Sequence, residues 1–95
     1  MDFFQNTLAL AAPVLQAPMA GSQGHALAAA VCEAGGLGAI PAAMLTPEGL
    51  DAELTALRTK TQQPYNVNFF AHTPPSVDDA QMARLHEALA PYYVA

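Results

Sequence analysis

Val14-Leu15-Gln16-Ala17-Pro18-Met19-Ala20-Gly21, followed by Glu33-Ala34-Gly35-Gly36-Leu37-Gly38, is the stretch that decides the fold of this chain. Val14 to Ala17 reads as a short apolar strand that runs into a Pro-Met-Ala-Gly corner. Proline lacks an N–H and fixes φ, so it ends a strand without leaving a donor stranded. The alanine and glycine after it remove side-chain bulk, which lets the backbone approach a large flat ligand.

Working outward, Leu27, Ala30, Val31 and Ala34 fall at i, i+3, i+4 and i+7, a helical face over about 24–34. Gly35 and Gly36 stop that helix, and Leu37 to Ile40 is the second strand. Thr46-Pro47-Glu48 starts another helix with a capping hydroxyl, a first-turn proline and an acid at the positive dipole end. Leu50, Leu54 and Leu57 form its buried stripe, and Arg58 and Lys60 suit its C-terminal end. Pro64 closes the connection to a third strand, Tyr65 to Phe70. Ser76-Val77-Asp78-Asp79 opens a third helix with Met82, Leu85 and Leu89 on one face. Ala90-Pro91-Tyr92-Tyr93-Val94-Ala95 reads as the start of a further strand. Strand and helix alternating three times predict an α/β fold of adjacent parallel strands with helical crossovers. The alternation alone does not separate a barrel from a doubly wound sheet.

Charged residues make up 12 % of the 95 residues, with three Lys+Arg and a net charge of −5. That balance argues against nucleic acid or an anionic membrane surface as partner. Glu33 and Glu48 interrupt the alanine-rich region, so no apolar run of membrane-spanning length exists. Met1-Asp2-Phe3-Phe4-Gln5-Asn6 lacks the basic start of a signal peptide, and cytoplasm is the default expectation. The single cysteine, Cys32, leaves no internal disulfide and reads as an inert core thiol.

In parallel α/β folds the chemistry gathers at the carboxyl ends of strands. The first such end is the Gln16–Gly21 corner, where Ala17 and Pro18 present backbone and Met19 a soft thioether. The second, Pro41-Ala42-Ala43-Met44, is apolar and shapes a pocket without acid–base work. The third is Asn66-Val67-Asn68-Phe69-Phe70-Ala71-His72. Asn66 and Asn68 point to one face of the strand, and a carboxamide there offers donor and acceptor to a polar ligand edge. His72 lies just past the strand, where an imidazole is a candidate for acid–base work. His25 and His86 read as solvated, and no metal-ligand spacing links the histidines with Cys32. Gly35-Gly36-Leu37-Gly38 precedes a strand and lacks dinucleotide-fingerprint spacing; it reads as a helix stop with close helix–strand packing.

The segments LQAPMAG, LAAAVCEAGGLGAIPAAMLTPEGL and PYNVNFF, in this order from Pro13 to Phe70, resemble the N-terminal part of the nitronate monooxygenases, formerly 2-nitropropane dioxygenases. The resemblance implies a TIM (β/α)8 barrel around FMN that oxidises alkyl nitronates with O₂. It implies FMN contacts from Ala17, Pro18, Met19 and Asn68, with Phe3 and Phe4 capping the lower end of the barrel. The family's catalytic histidine lies in a later glycine-rich segment that this sequence does not contain. A catalytic role therefore does not carry over to His72, and pocket lining is its expected part.

A whole barrel takes about 250 residues. On the family reading, residues 1–95 are thus the N-terminal fragment of a single FMN-binding barrel domain. A sister flavoenzyme, the FMN-dependent enoyl-acyl-carrier-protein reductase, is the nearest alternative; Ala17-Pro18 before Met19 looks more like the nitronate enzymes. A small non-enzymatic α/β binding domain is the alternative from another class.

Overall fold

A computed structural model describes residues 2–93. Strand β1 (Gly38–Pro41) pairs in parallel with β2 (Tyr65–Asn68), with Gly38 opposite Tyr65, Ala39 opposite Asn66, Ile40 opposite Val67 and Pro41 opposite Asn68. On the other edge of β1, Leu15 forms a parallel bridge with Leu37. The three segments therefore stand side by side in chain order, joined through helices, as the alternation predicts.

The first segment is shorter than the expected strand over 14–17. Leu37 N–H donates to the Val14 carbonyl at 2.9 Å and Gln16 N–H to the Leu37 carbonyl at 2.9 Å. The next rung, from the Ala39 N–H, goes to a side chain and not to the Gln16 carbonyl, and the one after would need an N–H on residue 18, which Pro18 lacks. Val14 and Leu15 are 55 % and 54 % exposed, because no described element packs on their open side. Strand β2 also ends early. Ala42 N–H to the Asn68 carbonyl, at 2.9 Å, is its last rung, and Phe69 and Phe70 leave the sheet exposed.

Helices α2 (His25–Glu33) and α3 (Pro47–Lys60) connect these segments. The start of α3 follows its sequence signal: Thr46 Oγ1 accepts the Gly49 N–H at 3.0 Å, with Pro47 leading and Glu48 in the first turn. Leu57 is fully buried with Ala28, Ala29 and Ile40, and Leu50, Leu54 and Tyr65 pack around them. At the end of α2 the Gly36 N–H reaches the Val31 carbonyl at 3.1 Å and Gly35, at φ +97°, donates to the Cys32 carbonyl at 3.0 Å. This paired pattern is a Schellman stop, and it requires a left-handed residue that glycine supplies at no steric cost.

The buried face of α2 differs from the expected one. Ala28, Ala29 and Cys32 face the core, whereas Leu27, Ala30 and Ala34 are exposed and Val31 is half-buried. The reason lies at Gly38, where an added Cβ would sit 2.3 Å from the Ala28 carbonyl oxygen and 2.7 Å from Cys32 Sγ. Helix and strand approach too closely for larger residues, so small side chains take the inner face. Cys32 is buried, with its Sγ 3.4 Å from the Pro64 carbonyl.

At the amino ends of the strands, the lead-in begins with a short helix α1 (Asp2–Asn6) and docks on the helix stop: Ala11 and Ala12 both donate to the Gly35 carbonyl, at 3.0 and 3.1 Å. Phe3 and Phe4 meet edge-to-face at 5.6 Å, with Phe3 mostly exposed. Thr61, buried just past α3, donates its hydroxyl to the Glu33 carboxylate at the end of α2 and accepts the Gln63 N–H at 3.1 Å.

Helix α4 (Asp79–Leu89) is capped by Asp78, which accepts from Ala80 and Gln81 at 3.0 and 3.2 Å. None of its residues is buried, and the expected stripe of Met82, Leu85 and Leu89 stays exposed. The radius of gyration is accordingly 18.9 Å, against about 12 Å for a compact domain of this length. Ala90–Tyr92 forms a 3₁₀ turn in place of the expected strand start, since Pro91 fixes a helical φ; Val94 and Ala95 lie outside the described residues.

Candidate functional site

The corner after the first segment is a tight turn. Ser22 N–H donates to the Met19 carbonyl at 3.1 Å, and Gly21, third of the four turn residues, sits at φ +79°. That is the type II pattern, in which the third residue must be left-handed. An added Cβ at Gly21 would meet nothing within 4 Å, so glycine is needed there for its conformation alone. Ala17 and Pro18 are exposed, and Met19 is 45 % exposed at the tip.

Two glutamines hold this corner to β1. Gln16 Oε1 accepts the Ala39 N–H at 3.0 Å, Gln23 Nε2 donates to the Ala39 carbonyl at 3.1 Å, and Gln16 Nε2 donates to Gln23 Oε1. Side chains thus supply both hydrogen bonds that a regular ladder would draw from the backbone of residues 16 and 18. Ala39 is 1 % exposed, so its polar groups have no recourse to solvent. Sequence reasoning placed Gln16 in the corner without this role and passed over Gln23. The signal available was a buried strand residue opposite a proline that cannot donate.

On β2, Tyr65 packs into the core and its hydroxyl accepts from Arg58 Nε at 3.3 Å. Alternation then puts Asn66 and Asn68 on the opposite face, away from the helices. Asn68 is half-buried, and among the described residues its carboxamide has no hydrogen-bond partner. The corner and Asn68 flank the end of β1 from its two sides, roughly 10 Å apart, two strand spacings. His72 is exposed on the following loop, its ring 5.6 Å from that of Phe70. The structure does not bring His72 to the corner.

Beside the corner, a cleft of about 340 Å³ opens between Gly21, Gln23 and Gly24, the end of β1 and Glu53 of α3. Pro41 and Met44 from the apolar second strand end line it, as expected of a pocket-shaping segment. His25, expected in solvent, is instead half-buried: Glu53 Oε2 accepts its backbone N–H at 2.7 Å and lies 2.8 Å from its Nδ1. Gly24 carries no capping side chain, so a carboxylate from the neighbouring helix caps α2. The hydrogen bonds from the His25 ring and then from its backbone hold the Glu53 carboxyl below its ordinary value of 4.5. His86 is exposed on α4.

The sequential parallel βα units are the opening units of a (β/α)8 barrel, incomplete in this chain. Comparison with known proteins carries this to a family. The nitronate monooxygenase family model matches residues 2–94, and the chain belongs to that family. It is 41 % identical over 81 residues to a nitronate monooxygenase of Paraburkholderia phytofirmans, covering 85 % of this chain and 22 % of that protein. A nitronate monooxygenase of Pseudomonas aeruginosa is 39 % identical over 92 residues, covering 97 % of this chain and 26 % of that protein. Among solved structures, nitroalkane oxidase from Streptomyces ansochromogenes superposes with a TM-score of 0.74 at 39 % identity, over 90 % of this chain and 24 % of that one. FabK from Thermotoga maritima gives 0.69 at 38 %, over 75 % and 23 %. The chain thus spans about a quarter of the length of these relatives.

Proposed function

We propose that residues 1–95 are the N-terminal part of a single FMN-binding barrel domain that oxidises alkyl nitronates with O₂. The observation that carries this reading is the pairing of family membership with a strand-end corner whose backbone is released from the sheet. FMN, when bound, supplies the redox chemistry that links nitronate oxidation to O₂.

The residues present suit that group. The thioether of Met19 is a polarisable contact for a flat ring, and Ala17 and Pro18 add almost no bulk between ring and backbone. The Asn68 carboxamide, without a described partner, offers a donor and an acceptor to a polar edge. Exposed Val14, Leu15, Phe69 and Phe70 leave apolar surface for the remaining barrel and the pocket to cover. Proton transfer from substrate is assigned to a segment beyond this sequence, with His72 at most lining the pocket. Among the described residues no helix is long and apolar enough to cross a membrane, and a cytoplasmic enzyme acting on a small molecule is part of the proposal.

A second reading, an FMN-dependent enoyl-acyl-carrier-protein reductase-like enzyme, draws support from the likeness to FabK. Turnover separates the two. The flavin-loaded enzyme should consume O₂ with an alkyl nitronate in the absence of NADH. Activity that depends on NADH, with none on nitronates, would favour the reductase.

A further inference from the structure

We infer that Gln16 and Gln23 are positioning residues for the flavin: their side chains detach residues 17–20 from the sheet and hold them for the ring. The inference rests on the FMN reading above. Two residues before Ala39, at Leu37, the first segment still bonds to β1 through backbone groups in both directions. At Ala39 the Gln16 side chain has taken over the acceptor position, leaving the Gln16 carbonyl out of the ladder. Gln23, seven residues further on, reaches back across the turn to the Ala39 carbonyl that Pro18 cannot answer. The bond between the two amides closes a ring through Ala39, with the Met19–Ser22 turn between its two glutamine anchors. The corner's entry and exit are therefore both referred to one buried strand residue. A corner that must meet a rigid ring at a fixed height gains from such a frame, because a loosely held turn would have to be ordered on binding.

The polarity of the ring makes the inference testable. Gln16 must accept from Ala39 and donate to Gln23, and Gln23 must accept from Gln16 and donate to Ala39. Gln16→Glu keeps the acceptor toward Ala39 and sets a carboxylate against Gln23 Oε1. Gln23→Lys keeps a donor toward the Ala39 carbonyl and loses the acceptor toward Gln16. Together, the new carboxylate and ammonium keep both bonds to Ala39 and rejoin the two side chains, with the direction between them reversed: the ammonium at 23 donates to the carboxylate at 16. Gln23→Leu removes the two bonds that Gln23 makes and leaves the Gln16 acceptor toward the Ala39 N–H.

The experiment is an FMN titration of the complete apoenzyme and these variants, followed by flavin fluorescence, with the visible spectrum of bound flavin recorded alongside. Gln23→Leu, which leaves the buried Ala39 carbonyl unpaired, and Gln16→Glu, which sets two acceptors against each other, should each weaken FMN binding at least about tenfold. Each should also shift the bound-flavin spectrum, while the Gln16→Glu/Gln23→Lys pair returns both readings to within about threefold of wild type in affinity. Equal affinity in all variants, or a double variant no better than the worse single one, overturns the inference while the flavin reading stands. A wild-type protein that binds no FMN overturns both.

Discussion

Glu53 caps a helix that is not its own: its Oε2 accepts the His25 N–H at 2.7 Å, reaching α2 from α3 across the bare Gly24. The approach is tight, since an added Cβ at Gly24 would lie 3.0 Å from that oxygen. Glu53→Ala removes the cap and should lower stability by about 1–2 kcal/mol. The pH dependence has a definite sign. The folded carboxyl sits below 4.5, so its contribution is whole above that value and fades as pH falls toward the depressed one. Thermal unfolding of wild type and variant should show a gap at pH 7 that narrows in acid; a constant gap would refute the cap.

Gly38 tolerates no side chain. Its neighbours are the Ala28 carbonyl oxygen, 2.3 Å from where a Cβ would be, and Cys32 Sγ, 2.7 Å away. The first is backbone and cannot swing aside, so Gly38→Ala should push α2 off β1 at a cost of about 1–3 kcal/mol or more. Unfolding midpoints in urea measure it. Gly21→Ala, where space is open but φ is +79°, should cost about 1 kcal/mol from strain alone.

Removal of the Asn68 carboxamide should act on the cofactor and spare the fold, since it bonds to no described residue. Asn68→Ala is expected to weaken FMN binding by about 1–3 kcal/mol with an unchanged melting temperature of the apoenzyme. Wild-type flavin affinity in this variant would remove Asn68 from the site.

Residues 1–95 made alone should self-associate. Among the described residues, the outer edge of β2 and the open side of Leu15 carry unpaired backbone beside exposed apolar side chains, and α4 buries nothing. Sedimentation should find species larger than 9.9 kDa. A sharp monomer that binds FMN tightly would favour a self-sufficient domain.

Signals confined to a few neighbouring residues were legible from sequence. The Thr46-Pro47-Glu48 start, the Gly35-Gly36 stop and the Leu57 stripe all stand where local chemistry put them. What escaped was set by distant partners. The inner face of α2 could not be read from periodicity, because alanine occupies both faces and Gly38 across the gap chooses between them. The stripe on α4 was legible as a pattern, yet among the described residues nothing packs on it. Gln23 and Glu53 escaped for a related reason: each serves a backbone group 16 or 28 residues away.

The bond from Thr61 to Glu33 ties the tails of two consecutive helices together at the end of the sheet opposite the corner. Gly35 anchors the lead-in at that same end. One rim of the molecule is thereby riveted, and at the other, apart from the corner that Gln16 and Gln23 hold, the strand-end loops are left free to vary. A protein engineer could graft longer or foreign loops between Pro41 and Thr46, or after Asn68, while the riveted rim keeps strand spacing and register. New substrate preferences can then be sampled without renegotiating the architecture beneath them.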